Sequence, residues 1–376
     1  MKTNIEFKAR CEDIGLAREL CRARNADLIR QNDQSDSYFA LSRGRLKLRE
    51  NLPGGRSLIY YDRLDSPLPR ESEFEIVSVD DSSVPVVEMF KKVIGLRVVI
   101  AKKRETYRFD SAIVNLDDVA GLGQFIEVEV EVERPGDIER ATRYADDLLT
   151  YFHLTPADLI PWSYADLSMM YKTAHEWRNK LGPNPPVFLL DGASCTGKTT
   201  LATLLARRSS LDIQLVPRYS TRKPRGDRSA EPEYVFVSAE QFKALATEGQ
   251  FIEYRDFKFG MSYGLPWRET VEAVARGARA LGIIDLGNVR HVKSVLPEAT
   301  TILITAPEPT LRKRLRNRGY NAEHEIKERL ENARKVRYYT QFYDHVIENG
   351  EGMLENAEEA IATIMRDHPS RKSAAP

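Results

Sequence analysis

Along its first half the chain alternates charge with bulk. Asn4, Glu6 and Lys8 alternate with Ile5 and Phe7; Arg45, Lys47 and Arg49 alternate with Leu46 and Leu48; Lys102 and Arg104 share a parity. Glu127, Glu129, Glu131 and Glu133 interleave with Val128, Val130 and Val132. Residues i and i+2 of a strand stand on one face about 7 Å apart, so each segment predicts a strand with one charged and one apolar face. Residues 1–172 read as such strands broken by a few helices. From residue 183 to 365 the rhythm changes. Short apolar runs such as Val187 to Leu190 alternate with helical patterns such as Leu201 to Arg208, predicting an α/β fold with a parallel sheet. Between the halves, Lys180-Leu181-Gly182-Pro183-Asn184-Pro185-Pro186 predicts a stiff linker. The expected organisation is a first domain over 1–176, a linker over 177–186, a second domain over 187–367 and a disordered tail over 368–376.

For any single charged strand, a half-solvated sheet is the ordinary explanation. Several strands whose charged faces are purely basic or purely acidic argue against it, because like charges at that spacing repel and need a counter-ion. A closed antiparallel β-barrel (an α+β domain) with its polar faces inward answers this: cations would grip a polyphosphate and carboxylates would hold the divalent metals bridging it. Composition fits two domains: 376 residues, 42% of them apolar, are enough for two cores. Lysine plus arginine and aspartate plus glutamate number 56 each, so no global field points to nucleic acid or membrane, and no aromatic-basic platform appears. Cys11, Cys21 and Cys195 are too few and odd in number for a disulfide framework. The charged N-terminus lacks an apolar signal region, no segment reaches the ~20 apolar residues of a membrane span, and a cytoplasmic location is expected. Oligomeric state is left open.

One motif names a chemistry. Gly192-Ala193-Ser194-Cys195-Thr196-Gly197-Lys198-Thr199 fits G-x-x-x-x-G-K-[ST], between a predicted strand and a predicted helix. Such a loop turns backbone N–H groups around phosphate oxygens at the positive end of the following helix. Gly192, Ser194, Thr196, Gly197, Lys198, Thr199 and Thr200 are therefore expected to bind ATP, Lys198 at the β/γ-phosphates and Thr199 at Mg²⁺. Downstream, Arg222 and Arg225 flank Pro224. With the Tyr234 and Tyr263 hydroxyls, these two guanidiniums are placed to hold a dianionic monophosphate.

The first half resembles CYTH domains, the triphosphate tunnel fold of class IV adenylyl cyclases and thiamine triphosphatases. The resemblance rests on Asn4-Ile5-Glu6-Phe7-Lys8-Ala9-Arg10, Asp36-Ser37-Tyr38-Phe39, Arg45 through Glu50, Leu58 through Arg63, Lys102 through Glu105, Leu116 through Glu129, and Ser163 through Leu167, in family order. It implies an eight-stranded antiparallel tunnel that binds a triphosphate with Mg²⁺ or Mn²⁺. Glu6, Glu127 and Glu129 would be metal-side carboxylates, and Lys8, Lys47, Arg49, Arg63, Lys102 and Arg104 phosphate-side cations, with Glu6 and Lys8 at the reaction centre. The family opens Glu-x-Glu-x-Lys, and Asn4 stands at the first Glu, removing one metal-facing charge. Hydrolysis, cyclisation and regulatory binding of the triphosphate all stay open.

The second half resembles guanylate kinases. Ser220-Thr221-Arg222-Lys223-Pro224-Arg225, Tyr234-Val235-Phe236-Val237-Ser238, Phe251-Ile252-Glu253, Tyr263-Gly264 and Ile283-Ile284-Asp285-Leu286 occur in family order. Asp285 matches an acceptor-side Asp, and Arg318-Gly319 and Lys327-Glu328-Arg329-Leu330 match a lid whose arginines close over the triphosphate. Lys198, Mg²⁺, Arg222, Arg318 and Arg329 would then stabilise the transferring phosphoryl group. The intervening Arg312, Lys313, Arg314 and Arg316 read as a solvated helix face. Two positions where the family has guanine-touching hydroxyl residues hold Arg218 and Leu265, and Arg228 replaces a family Glu, while Glu253 keeps its carboxylate. The run Arg218-Tyr219-Ser220-Thr221-Arg222 is also similar to ribose 1,5-bisphosphate phosphokinases. Losing two hydroxyl contacts while gaining two cations predicts a phosphate-bearing, more anionic acceptor, either GMP-like or a phosphorylated sugar. An interaction module built on the same fold is the alternative; the intact loop at Gly197, Lys198 and Thr199 argues against it.

Overall fold

A computed structural model describes residues 2–41, 44–66, 68–224, 231–257, 260–319 and 322–368. Arg225, Arg228 and the tail from residue 369 lie outside the described residues. The chain divides into two compact units between Met169 and Met170.

The first unit is a closed eight-stranded barrel in the order β1-β5-β4-β3-β2-β6-β7-β8, antiparallel throughout. Its strands are β1 (Lys2–Arg10), β2 (Asp27–Phe39), β3 (Arg45–Leu52), β4 (Arg56–Asp62), β5 (Arg70–Val79), β6 (Leu96–Phe109), β7 (Ala112–Val119) and β8 (Gly123–Val132). The alternation seen in the sequence sorts inside from outside. Ile5, Phe7 and Ala9 of β1 point outward into a buried cluster with Ala17, Cys21, Ala145, Leu148 and Phe152. These come from helices α1 (Ile14–Ala23) and α3 (Ile138–Tyr151) and the turn beyond, so the apolar face is covered by helix and the charged face is left to the lumen. Helix α2 (Val84–Val93) covers Phe39 and Leu48 through Val87.

Helix α4 (Tyr164–Leu181) contains the division between units. The helix runs through residues 177–181 of the expected linker, and its Ala174 and Leu181 pack in the core of the second unit.

The second unit has a five-stranded parallel sheet in the order β10-β15-β9-β16-β17, formed by β9 (Val187–Asp191), β10 (Ile213–Leu215), β15 (Arg279–Ile283), β16 (Thr300–Thr305) and β17 (His345–Glu348). A mixed four-stranded sheet, order β12-β11-β14-β13, comprises β11 (Arg218–Ser220), β12 (Tyr234–Phe236), β13 (Phe251–Phe257) and β14 (Met261–Pro266). Helices α5 (Lys198–Ala206), α6 (Ala239–Thr247), α7 (Trp267–Ala275), α8 (Val289–Val295), α9 (Glu308–Asn317), α10 (Glu323–Arg334) and α11 (Leu354–Asp367) connect and cover them. β9 is buried on both faces: Val187 and Leu189 pack with Trp267 and Val292, and Phe188 and Leu190 with Leu201 and Ile361. Both β9 and β15 deliver acidic residues, Asp191 and Asp285, at their carboxyl ends, where open parallel sheets bind ligands. Among the described residues no helix is long and apolar enough to cross a membrane.

Candidate functional sites

In the barrel, Glu6, Lys8, Lys47, Arg49, Arg63, Lys102, Arg104, Glu127 and Glu129 surround one cavity of about 120 Å³. Strand register brings them together: Glu6 sits opposite Glu129, and Lys8 opposite Glu127. Lys8 donates to Glu127, which also accepts from Arg104 at 2.7 Å. Arg63 Nε lies 2.9 Å from Glu6 Oε1. Two buried acids that the sequence reading missed organise the remaining cations. Asp36 accepts from Lys47 at 2.8 Å and from both Nε (2.7 Å) and Nη2 (2.8 Å) of Arg49, with Lys102 at 3.4 Å. Asp117 accepts from Arg104 Nε at 2.6 Å and from the Tyr164 hydroxyl at 2.7 Å. The ring of Tyr164 in turn lies 4.1 Å from Lys8 Nζ. Parity could have found both acids: Gln34, Asp36 and Tyr38 share one face of β2, as Asn115 and Asp117 share one face of β7.

The electrostatics follow from these pairings. Burial alone would raise Asp36, but Lys102, Lys47 and Arg49 together hold it well below the usual carboxylate range. Burial likewise opposes ionisation of Glu127, and Lys8 and Arg104 override it. Burial and the charge of Arg49 bring Lys47 down to about 8. Glu129 differs. Among the described residues its carboxylate accepts from amides, Asn115 at 3.1 Å and Asn4 at 3.4 Å, and burial with Glu127 and Glu6 alongside pushes it up to about 7. Among the described residues Asn4 Oδ1 is buried without a hydrogen-bond partner. Of the acidic ladder, Glu127 and Glu129 face the cavity, while Glu131 and Glu133 are exposed.

The phosphate loop runs from β9 into α5. Gly192 and Gly197 have φ of 149° and 100°, and a Cβ would collide with the Ile304 carbonyl at the first and the Asn349 side-chain amide at the second. No side chain caps α5, so its first-turn N–H groups are open to an anion. Lys198 donates back to the Gly192 and Ala193 carbonyls, the latter at 3.0 Å. Thr199 and Thr200 are exposed at the helix start, and Ser194 is half-buried. Thr196 is buried and uses its hydroxyl to close the loop onto Ala193 O at 3.0 Å. Asp191, just before the loop, accepts from Gly192 N–H at 2.5 Å and from the Tyr343 hydroxyl, and burial pushes it up to about 6.

One part of the basic run departs from expectation. Arg314, read as a solvated helix-face residue, reaches the loop and donates to Cys195 O at 3.3 Å, Thr196 O at 3.4 Å and Gly350 O at 3.0 Å. The turn that ends α9 carries Arg314 inward, and Arg318, at the C-cap, is exposed. Arg329 is half-buried on α10. Arg312 and Arg316 pair with Glu323, and Lys313 with Glu351, as a solvated face would. Replacing Arg314 by alanine is expected to weaken ATP binding several-fold while leaving the fold intact, read by calorimetric titration.

The mixed sheet presents an arginine–tyrosine cluster. Arg222 pairs with Glu231 and lies 4.5 Å from the Tyr234 ring; Tyr234 meets Tyr263 edge-on at 6.0 Å; and Arg218 lies 5.3 Å from the Tyr263 ring. Arg218 then bonds Asp285 at 2.5 Å and Glu253 at 3.2 Å, and Asn288 donates to Glu253 at 2.5 Å. Burial raises Glu253 to about 8 despite Arg218, whereas Arg218 holds Asp285 below its usual value against burial. Lys198 senses both Asp285 and Arg218, which ties the cluster to the phosphate loop. Leu265 is fully buried in the apolar core.

A phosphate loop at the carboxyl edge of a parallel sheet, beside an arginine–tyrosine cluster, defines a P-loop kinase; the charged barrel before it has the architecture of a triphosphate tunnel. Residues 185–368 match the family described as guanylate kinase, and residues 2–164 match the CYTH domain. A guanylate kinase of Lactobacillus delbrueckii subsp. bulgaricus is 33% identical over 164 residues, 43% of this chain and 80% of the relative. One of Fusobacterium nucleatum is 36% identical over 166 residues, 44% of this chain and 88% of the relative. The crystal structure of guanylate kinase from Anaplasma phagocytophilum is 23% identical with a TM-score of 0.36, covering 50% of this chain and 86% of that one. The chain belongs to the guanylate kinase family through its second unit, a P-loop kinase, and its first unit is a CYTH domain.

Proposed function

We propose that the second unit transfers the γ-phosphoryl group of ATP to the phosphate of a small acceptor, a nucleoside monophosphate or a phosphorylated sugar. The observation that carries this reading is the pairing of an uncapped α5 N-terminus bearing Lys198 with the Arg222–Tyr234–Tyr263 cluster. An oxygen of the acceptor phosphate bonds to the γ-phosphorus as the bond to the bridging oxygen breaks, leaving ADP and a diphosphate linkage. The attacking oxygen carries no proton at neutral pH, so no general base is needed. Lys198 and the loop N–H groups bind and neutralise the donor. Arg222 exchanges Glu231 for the acceptor phosphate, and Tyr234 and Tyr263 orient it. Thr199 would hold Mg²⁺, which would supply charge neutralisation to the donor phosphates. ADP release from full-length protein given ATP, Mg²⁺ and a panel of nucleoside monophosphates and sugar phosphates tests this; no turnover with any acceptor would refute it.

For the barrel, the same reasoning supports metal-dependent hydrolysis of a triphosphate to diphosphate and phosphate. Among the described residues no three His, Cys, Asp or Glu side chains gather into a metal set. Glu129 and Asn4, whose Oδ1 has no partner among the described residues, line the same cavity and would offer hard oxygens to Mg²⁺ or Mn²⁺. Such an ion would neutralise the terminal phosphate and orient it for water attack. Lys8, Lys47, Arg49, Lys102 and Arg104 grip the chain of phosphates. Full-length Lys198→Ala protein, with its kinase silenced, is expected to release phosphate from tripolyphosphate with Mn²⁺. Adding Glu127→Gln and Glu129→Gln should abolish the release.

A further inference from the structure

We infer that Arg218 determines which acceptor the kinase takes: it closes the site to a purine base and selects an acceptor whose end remote from the phosphate is a neutral, hydroxyl-bearing sugar. This rests on the reading above that the acceptor bears a phosphate held at Arg222.

A base edge with two neighbouring N–H donors, such as guanine's, is read by a carboxylate with oxygens facing the ligand. Two carboxylates are available here, and the Arg218 guanidinium bridges them, to Asp285 Oδ2 at 2.5 Å and Oδ1 at 3.3 Å and to Glu253 Oε1 at 3.2 Å. The other Glu253 oxygen accepts from Asn288. A flat base cannot reach either acid without displacing an arginine that is 6% exposed and bonded at both ends. Base donors left unpaired in a buried site weigh against binding, because they give up water without gaining a partner.

The charge of the cluster also opposes a second phosphate. The Arg218 guanidinium is paired with Asp285 and Glu253 at once, so its charge is balanced within the fold. The substitution of a cation at residue 218, taken in the sequence as a sign of a more anionic acceptor, is thus neutralised within the fold. Among the described residues Arg218 Nε is buried without a hydrogen-bond partner. A sugar hydroxyl suits it, since one oxygen accepts from Nε–H and donates its own proton to a carboxylate lone pair.

The test uses full-length protein with ATP, Mg²⁺ and, as acceptors, GMP, ribose 5-phosphate and glucose 6-phosphate. Wild type is expected to favour a sugar phosphate over GMP by at least tenfold in kcat/KM. Arg218→Ser, which frees both carboxylates, should reverse the order, and Arg218→Gln, which keeps volume and a donor, should fall between. An ATP-induced rise in melting temperature identifies folded variants. A wild type that prefers GMP, with both variants slower on every acceptor in equal proportion, would overturn the inference and make Arg218 merely structural. Turnover of no phosphorylated acceptor by any form, with ATP binding intact, would sink the kinase reading and this inference with it.

Discussion

Replacing Lys198 by alanine is expected to cut kcat/KM for phosphoryl transfer by about a thousandfold, the scale on which a pre-positioned donor stabilises a transition state in a dry site. The side chain is enclosed by the loop it serves, and burial lowers its pKa. It donates to the Gly192 and Ala193 carbonyls. Phosphate oxygens offer the same ammonium a stronger, charge-assisted partner, so ATP binding releases those carbonyls. Losing the two internal bonds costs about 1–3 kcal/mol of stability, too little to unfold a sheet whose central strand β9 is buried throughout. The variant should therefore remain folded while its ATP affinity falls by one to two orders of magnitude. Lys198→Arg should not restore activity, because a planar fork cannot follow the route of a compact ammonium through a loop pinned at Gly192 and Gly197. Near-wild-type turnover in either variant would overturn the role given to Lys198.

Much of this was legible in the sequence because two periodicities carry it. In β1, Asn4, Glu6 and Lys8 face the lumen and Ile5 and Phe7 the helices, as alternation demands. The phosphate loop is a local motif, so its strand, turn and helix could be read without tertiary knowledge. What escaped is what depends on chain segments meeting. The repulsion among basic strands suggested an external polyanion as counter-ion, yet Asp36 and Asp117 supply much of it from within. Arg314 and Arg318 lie one helical turn apart on the same basic stretch, and only the packing of α9 against the loop decides that Arg314 reaches inward. Arg218 was visible as an odd residue, but its capture by Glu253 and Asp285 needed three separate elements to converge.

Asp36→Asn is expected to destabilise the first unit by about 3–5 kcal/mol, the cost of removing one partner from a buried ion cluster. Asp36 is fully buried and is the common acceptor for Lys47, Arg49 and Lys102. An asparagine keeps the volume but offers one neutral acceptor, and its amide N–H groups face Arg49 in one orientation and all three cations in the other. The melting temperature of the barrel should fall by on the order of 10 °C. The pH dependence fixes the cause. Because the cations hold the folded-state pKa of Asp36 well below 3.8, its stabilisation is complete above the ordinary aspartate pKa. It declines as the pH falls from there toward the folded-state value. The gap between wild type and variant should thus narrow below about pH 4, as Asp36 is protonated, and again toward pH 8, as Lys47, brought down to about 8, loses the charge that Asp36 balances. Tripolyphosphate should rescue the variant less than it stabilises wild type if Asp36 pre-positions the cations. It should rescue the variant more if the acid serves only as a counter-charge, since an added anion then replaces what the mutation removed. Denaturation of both proteins with and without tripolyphosphate across that pH range distinguishes the two. The bidentate hold of Asp36 on Arg49, which fixes the guanidinium plane facing the cavity, favours the first.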